Sequence, residues 1–198
     1  MTVDLAVLYQ QAVKRGDIRP DPAQKKAIAT LQPICSALSK PHKTGWFSSK
    51  ANLIKGAYLY GPVGTGKSFL MDLFFNALTL KEKKRLHFYQ FMEMVHQSLK
   101  LLEGQKDPLK ILAKQFSQQW RVICFDEFFV VNIVDAMLLA TLLEAMYAEN
   151  MVLISTSNVL PDALYPNGLQ RDRFLPAIDL IKHYNHIVEV NNGEDYRI

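Results

Sequence analysis

Eight consecutive residues have the types and spacing of a phosphate-binding loop. Residues 61–68 read GPVGTGKS and match the pattern G-x-x-x-x-G-K-[ST]. Glycines let the backbone curl so that successive N–H groups point at one anion, and a helix that begins there adds the positive end of its dipole. Lys67 can then reach the β- and γ-phosphates of a nucleotide, and the Ser68 hydroxyl can bind Mg²⁺. Residues 57–60 predict a strand before the loop, and residues 69–75 predict a helix after it, which is the context that such a loop requires.

Two acidic residues, Asp126 and Glu127, directly follow the apolar segment 122–125. An acidic residue at the carboxyl end of a strand beside a phosphate-binding loop can hold Mg²⁺, directly or through water. The next carboxylate can polarise the water molecule that attacks the γ-phosphate. The pair therefore favours hydrolysis, since a kinase must exclude water from its site and has little use for Glu127.

Polar and basic residues that could complete such a site occur further along the chain. Asn158 follows the apolar segment 151–154. It could contact the γ-phosphate or the attacking water, or it could bond its own backbone in a turn. Arg171 and Arg173 lie near the start of a predicted helix. They could pair with local carboxylates, or project into the nucleotide site of a neighbouring subunit, where an arginine is worth roughly 10³ to 10⁵ in rate.

Predicted strands and helices alternate along most of the chain. The strands predicted from apolar runs are 57–60, 86–89, 121–125, 151–156 and 187–190. The basic residues 81–85 are typical of a solvated turn. Apolar strands separated by helices indicate a parallel sheet covered on both faces. The expected fold class is therefore α/β, with a parallel five-stranded sheet between helices. We expect residues 1–50 to form an N-terminal helical segment and loop, and residues 51–198 to form a nucleotide-binding core.

Composition and charge restrict the class of protein only broadly. The 198 residues are 49% hydrophobic and 21% charged, which is ordinary for a soluble globular domain. The formal net charge of +4 allows an acidic partner such as a nucleotide, a nucleic acid or an acidic protein segment. No apolar run approaches the roughly 20 residues of a membrane helix. Residues 1–11 lack the basic and apolar regions of a signal peptide, and Cys35 and Cys124 have no metal-type spacing, so we expect a cytoplasmic protein with reduced thiols.

Together these motifs resemble the AAA+ ATPases, a class of P-loop NTPases. Longer stretches resemble the ZapE-type cell-division ATPases, which are bacterial relatives of a mitochondrial AAA-type ATPase family. The resemblance runs from the first predicted helices to the last residue, and residues 168–178 are its most family-specific part. The stretches that carry it are 86–92 (LHFYQFM), 124–130 (CFDEFFV), 156–158 (TSN), 164–178 (LYPNGLQRDRFLPAI) and 195–197 (DYR).

The resemblance implies ATP and Mg²⁺ as cofactors and a role for each matching residue. Catalysis would fall to Lys67, Glu127, Asn158 and an arginine finger, Arg173 or else Arg171. Mg²⁺ would be bound by Ser68 and Asp126. The nucleotide would lie against Gly61, Pro62, Val63, Gly64, Thr65, Gly66, Lys67, Ser68, Phe69 and Gln24, and the last of these could contact the edge of the adenine base. Because such fingers act across a subunit boundary, activity would need a homo-oligomer.

The resemblance also implies a biological role. Bacterial members act on the division ring, with its tubulin-like subunit FtsZ as partner, so this chain would be an ATPase recruited from the cytoplasm to the division site. The mitochondrial relatives are linked to protein quality control. Members of the family continue beyond the length of this chain, so we expect the helical lid over the nucleotide to be absent or truncated. The core alone would then hydrolyse ATP slowly, because closure of the site and exclusion of water depend on the lid.

Three other functions remain open from the sequence. The same motifs and the basic balance allow a nucleic-acid-linked AAA+ protein such as a helicase loader, whose binding to single-stranded DNA would weaken steeply with salt. A small-molecule kinase is disfavoured by Glu127 and by the two arginines. An interaction module that uses the nucleotide only as a structural ligand would release no phosphate.

Overall fold

The computed structural model describes residues 3–40 and 53–191. The predicted boundary at residue 50 and the stretch 195–197 lie outside the described residues. The strands are β1 Gly56–Tyr60, β2 Lys83–His87, β3 Val122–Asp126, β4 Val152–Ser157 and β5 Asn185–Glu189. The helices are α1 Leu5–Arg15, α2 Pro22–Leu38, α3 Lys67–Ala77, α4 Phe88–Leu101, α5 Pro108–Gln119, α6 Ile133–Ala148, α7 Arg171–Tyr184 and a 3₁₀ turn, Pro161–Ala163. Within these ranges no helix has both the length and the apolar character to cross a membrane.

The five strands form one parallel sheet in the order β2-β3-β4-β1-β5. This confirms the predicted fold class. Because all strands run the same way, their carboxyl ends meet at one edge of the sheet, where ligands bind in open α/β folds. The phosphate-binding loop follows β1, the two acidic residues end and follow β3, and Asn158 follows β4, which lies between those two strands. The topology therefore brings the three predicted motifs to the same edge.

The side chains of the sheet alternate between two separate cores. Tyr58 and Phe125 point to the face covered by α4, α5, α6 and α7, where aromatic and aliphatic side chains form the larger core. Leu59 and Cys124 point to the opposite face, which packs against α1, α2 and α3. The strands are apolar at consecutive positions because both of their faces are covered.

The two N-terminal helices begin at side-chain caps. The Asp4 carboxylate accepts hydrogen bonds from the first turn of α1, and the Asp21 carboxylate accepts one from the Ala23 N–H at 2.6 Å. Pro22 occupies the first position of α2, where its missing N–H costs nothing. Both helices pack against α3, the helix that follows the phosphate-binding loop.

The second strand differs from the prediction. Strand β2 covers residues 83–87, so it begins inside the basic run 81–85, and the predicted strand 86–89 is wrong at its carboxyl end. The chain turns into α4 at Phe88, where the Gln90 side chain accepts the His87 N–H at 3.3 Å and caps the new helix. The local pattern favoured a strand at Phe88 because aromatic residues suit both strands and buried helix starts.

The basic residues of β2 are tolerated because this strand forms the edge of the sheet and each long side chain has a partner. The Lys83 ammonium donates to the Phe75 and Leu78 carbonyls, both at 2.7 Å, and so satisfies the last turn of α3. The Arg85 guanidinium pairs with Asp126 across the neighbouring strand. The residues that looked like a solvated turn therefore fix the end of one helix and one predicted site residue.

Candidate nucleotide-binding and hydrolysis site

Residues 61–68 fold into a glycine-dependent loop between β1 and α3. Gly66 has a φ of 88° and lies directly before the first turn of α3, and Gly61 has a φ of 153°. A Cβ atom on Gly61 would lie 2.3 Å from the Val190 carbonyl oxygen. Both positions therefore exclude a side chain, by backbone conformation or by lack of space. Gly66 is the N-cap of α3 and supplies no side-chain cap, so the first N–H groups of this helix can serve an anion.

The ammonium of Lys67 is buried with only carbonyl partners. It is 8% exposed, and its Nζ donates to the Gly61 oxygen at 2.7 Å and to the Pro62 oxygen at 2.6 Å. In residues 3–40 and 53–191 the structure pairs no carboxylate with it, and burial lowers the pKa of the Lys67 amine. A buried cation without a charged partner is costly. A bound phosphate would supply the missing negative charge.

Replacing Lys67 with alanine should weaken binding of ATP by roughly 100-fold or more, because charge-assisted hydrogen bonds to the phosphates are lost. Isothermal titration calorimetry with ATP and Mg²⁺ measures this. Lys83→Ala is the matched control, since Lys83 also donates to two backbone carbonyls but lies at the far end of α3. The control should lower the melting temperature and leave ATP affinity within about threefold. Equal losses in both variants would contradict a phosphate contact for Lys67.

A cavity of about 300 Å³ brings three of the predicted catalytic residues, Lys67, Glu127 and Asn158, together at the carboxyl edge of the sheet. Its walls come from the phosphate-binding loop, from the residue after β3 and from the end of β4. The lining residues are Val63, Gly64, Gly66, Lys67, Ser68, Glu127, Thr156, Ser157 and Asn158. Phe69 faces away from this cavity region and packs against the core beside α3, so its predicted contact with the nucleotide would involve its backbone.

Glu127 is held in an unusual backbone conformation at this cavity. Its φ is 54°, in the left-handed region that residues other than glycine rarely adopt. Its side chain is 76% exposed. The Glu127 N–H donates to the Thr156 hydroxyl at 3.2 Å, and the Phe128 N–H donates to the Thr156 carbonyl at 2.7 Å. The Ser157 hydroxyl donates to the Phe128 carbonyl at 2.8 Å. Strand β4 therefore fixes the turn that presents Glu127, as expected where strain serves a site.

Asp126 is held by an arginine that sequence analysis did not select. Arg85 Nε lies 2.7 Å from Asp126 Oδ2, Arg85 Nη2 lies 3.2 Å from Oδ1, and Nη1 pairs with Asp72. Asp72 lies one helical turn beyond Ser68, so Arg85 connects the two elements that carry the predicted Mg²⁺ ligands. Hydroxyl and carboxylate oxygens are the ligand types that Mg²⁺ prefers, and Ser68 and Asp126 fit it in that respect. Mg²⁺ would share Asp126 with Arg85.

The two arginines predicted as fingers lie outside the cavity of their own chain. Arg171 Nη2 donates to the Asp162 carbonyl at 2.7 Å, so it is committed to a local contact. Arg173 is exposed, and within the described part of the chain the structure gives its side chain no hydrogen bond or ion pair. Asn158, by contrast, lines the cavity opposite the phosphate-binding loop. The structure therefore separates the arginines from the other predicted catalytic residues and distinguishes Arg173 from Arg171.

A tightly packed loop precedes the helix that carries Arg173. Tyr165, Asn167 and Gln170 all have positive φ values, between 51° and 59°. The Tyr165 ring packs against Phe174 with 5.5 Å between centroids, and its hydroxyl donates to the Leu169 carbonyl at 3.0 Å. This loop fixes the start of α7 and the direction in which Arg173 leaves the surface.

Replacing Gly168 with alanine should move this loop, because the added Cβ would lie 2.2 Å from the Tyr165 ring. We expect ATP affinity within about twofold of wild type and a loss of roughly tenfold or more in phosphate release, since only the arginine is displaced. Gly104→Ala is the control for a strained glycine substitution away from the site. Alanine is strained at the Gly104 φ of 81°, but no atom lies within 4 Å of the added methyl group and Gly104 is far along the chain from Arg173, so this variant should lose stability and keep wild-type turnover. Wild-type turnover in Gly168→Ala would contradict a positioning role for the loop.

Gln24 lies on the wall of a second cavity, of about 310 Å³, next to the phosphate-binding loop. The cavity is lined by Gly16, Asp17, Ile18, Arg19, Gln24, Gly64 and Gly66. The Gln24 side chain is only 2% exposed, and both ends of its amide have partners within the protein. The structure thus places Gln24 beside a region where a base could lie, with its polar atoms already in use.

The chain matches the family model described as AFG1-like ATPase over residues 3–198. It belongs to the AFG1-like ATPase family. This agrees with the resemblance carried by the longer sequence stretches, of which 164–178 forms the loop and helix around Arg173.

Curated relatives of this AFG1-like protein include a bacterial cell-division protein. The chain is 44% identical over 206 aligned positions to cell division protein ZapE of Escherichia coli K12, covering 96% of this chain and 55% of that protein. It is 42% identical over 161 positions to lactation elevated protein 1 homolog B of Danio rerio, covering 76% of this chain and 32% of the relative. The chain therefore spans about half the length of the ZapE protein and about a third of the length of the Danio rerio relative.

Solved structures of replication proteins share the fold. The crystal structure of DnaI superposes with a TM-score of 0.63 at 18% identity, covering 91% of this chain and 87% of that one. AMPPCP-bound DnaA from Aquifex aeolicus gives a TM-score of 0.62 at 13% identity, covering 92% and 51%. At such low identity these likenesses show the P-loop NTPase fold of the AAA+ type and nothing about function.

Proposed function

We propose that this AFG1-like protein binds ATP with Mg²⁺ in the cavity beside residues 61–68 and hydrolyses it to ADP and phosphate. The observation that carries the proposal is Lys67, a buried ammonium that has only carbonyl partners and faces a cavity shared with Glu127 and Asn158. The triphosphate would accept hydrogen bonds from the loop N–H groups and from Lys67. Mg²⁺, bound by Ser68 and Asp126, would neutralise charge on the transferred phosphoryl group.

In this proposal the residues of the cavity divide the work of hydrolysis. Glu127 accepts a proton from the attacking water, and its rigid turn holds the carboxylate over the phosphate-binding loop. Asn158 orients that water or the γ-phosphate by a hydrogen bond. His87 Nδ1 lies 3.7 Å from Glu127 Oε2, so the end of β2 also faces this carboxylate.

The active form would be a homo-oligomer in which Arg173 of one copy reaches the nucleotide of the next. Exposed apolar residues flank each of the two surfaces that would meet. Leu169 and Leu175, beside Arg173, are 70% and 38% exposed. Phe129 and Val131, following Glu127, are 50% and 73% exposed. Apolar groups that face solvent on both sides of an incomplete site support contact between copies.

The proposed biological role is ATP-dependent action on a protein of the bacterial division ring, in a cytoplasmic protein recruited to the division site. The support is the similarity to cell division protein ZapE, over nearly all of this chain. FtsZ, taken from the family resemblance, is the proposed partner. The chain spans 55% of the length of that ZapE relative.

Two measurements test the proposed function. Phosphate release by the chain, with ATP and Mg²⁺, tests hydrolysis, and Lys67→Ala is the blank. Co-sedimentation with FtsZ polymers tests the partner, and it should increase with ATP in a variant that binds but does not hydrolyse. Binding to single-stranded DNA that weakens steeply with salt, without FtsZ binding, would instead favour a helicase-loader type of function. A phosphorylated small molecule in place of free phosphate would show a kinase.

A further inference from the structure

A buried chain of hydrogen bonds connects both N-terminal helices to the phosphate-binding loop. The Asp21 N–H donates to the Tyr9 hydroxyl at 3.0 Å, and the Tyr9 hydroxyl donates to Gln24 Oε1 at 2.8 Å. Gln24 Nε2 then donates to the Thr65 carbonyl at 3.0 Å. The four residues are 1% or 2% exposed. Tyr9 belongs to α1 and Gln24 to α2, so these hydrogen bonds connect both helices to the loop.

The donor and acceptor order of these hydrogen bonds fixes the orientation of the Gln24 side-chain amide. A backbone carbonyl only accepts hydrogen bonds, so the atom that faces Thr65 must be the nitrogen. The Tyr9 hydroxyl already accepts the Asp21 N–H, so its own proton is available for Gln24 Oε1. The amide therefore has its oxygen and one N–H engaged inside the protein, and removal of either contact would leave buried polar atoms unpaired.

Gln24 also supports the loop by direct packing. A Cβ atom added to Gly66 would lie only 2.8 Å from Gln24 Nε2 and 3.0 Å from Ile18 Cδ1, so both side chains pack closely against the loop. Thr65 is fixed from its other side, since its hydroxyl donates to the Pro62 carbonyl at 3.0 Å. Gln24 thus holds residues 65 and 66 of the phosphate-binding loop by one hydrogen bond and by packing.

We infer that Gln24, aligned by Tyr9, is a positioning residue for the phosphate-binding loop and does not select the base. The inference rests on the proposed binding of a nucleotide by that loop. It differs from the expectation from the family resemblance, in which Gln24 contacts the adenine edge. If Gln24 positions the loop, its loss weakens binding of any triphosphate, with or without a base. If Gln24 contacts the base, its loss weakens binding of ATP alone.

Calorimetric titration with ATP and with inorganic tripolyphosphate, each with Mg²⁺, separates these two roles. In Gln24→Ala and in the isosteric Gln24→Glu, both affinities should fall by about tenfold, and their ratio should stay within about twofold of wild type. Tyr9→Phe should give the same pattern with a smaller loss. Gln32→Ala is the matched control, because Gln32 also links α1 to α2, accepting the Leu5 N–H at 2.6 Å and donating to the Val3 carbonyl, without reaching the loop. It should change neither affinity.

Hydrogen–deuterium exchange in the absence of nucleotide gives an independent measurement. Peptides covering residues 61–70 should exchange about tenfold faster in Gln24→Ala than in wild type or in Gln32→Ala, while the strands of the sheet remain equally protected. Loss of ATP affinity alone would overturn the inference, as would unchanged exchange at the loop in Gln24→Ala. A wild-type chain that binds neither ATP nor tripolyphosphate would refute the proposed function, and the exchange result would still decide the role of Gln24.

Discussion

Replacing Glu127 with glutamine should leave ATP binding intact and reduce phosphate release by roughly 10²- to 10⁴-fold, which is the usual contribution of a general base. Glutamine keeps the shape of the side chain and the left-handed turn but cannot accept the proton of the attacking water. The Thr156 contacts that hold the turn are made by backbone atoms of residues 127 and 128, so they survive the substitution. Calorimetry measures the affinity, and single-turnover phosphate release measures the chemical step.

The control for this variant is Glu149→Gln. Glu149 is also exposed, but it ends α6 just before β4 begins, at the edge of the sheet opposite the cavity. It should leave both affinity and turnover within about twofold of wild type, as expected of a surface substitution. Normal hydrolysis by Glu127→Gln would remove the proposed role of Glu127 in water activation. Loss of ATP affinity in that variant would assign it to binding instead.

The strand–loop–helix arrangement around residues 61–68 and the parallel sheet could be predicted because the signals are local. The residues that need positive φ, the lysine and the helix start are contiguous in the chain, so one short segment contains the groups of the proposed anion site. The acidic pair and Asn158 follow apolar strands, and parallel strands place their carboxyl ends together whatever their order. The cavity that holds Lys67, Glu127 and Asn158 follows from those two facts.

The contacts that the sequence did not reveal join residues far apart in the chain. Arg85 meets Asp126 across 41 positions, because β2 pairs with β3 and the side chain reaches along the edge of the sheet. Gln24 meets Thr65 across another 41 positions, because α2 packs against α3. Neither contact leaves a periodic or motif signal. The basic run 81–85 in particular has the composition of a turn, and only the pairing with β3 shows that residues 83–85 belong to a strand.

Arg171 and Arg173 show a related limit. Their spacing in the sequence could not distinguish them, since both lie in the first turn of α7. The distinction is in the partners. Arg171 is held by the Asp162 carbonyl of the 3₁₀ turn Pro161–Ala163, which packs beside α7, whereas Arg173 extends from the opposite side of the first turn into solvent. The assignment of the finger to Arg173 is therefore a proposal from the structure, and it predicts a large difference between two arginines that are two positions apart.

Replacing Arg173 with alanine should reduce phosphate release by roughly 10³-fold, the lower end of the range for an arginine finger, with ATP affinity nearly unchanged. Arg171→Ala, the matched control, should lower turnover by less than about tenfold, since it removes a local hydrogen bond. Sedimentation must show that both variants assemble as wild type does. A larger loss in Arg171→Ala than in Arg173→Ala would reverse the assignment.

Mixing two inactive variants tests whether Arg173 acts on a neighbouring copy. Arg173→Ala keeps an intact Glu127 and lacks the arginine, whereas Glu127→Gln keeps the arginine and lacks the base. In an equal mixture, half of the copies carry a working base and half of those face a neighbour with Arg173, so activity should recover to about a quarter of the wild-type rate per copy. Replacing the second variant with the Glu127→Gln/Arg173→Ala double variant should abolish this recovery, because no copy then supplies an arginine. Arg173 acting within its own chain would give no recovery in either mixture.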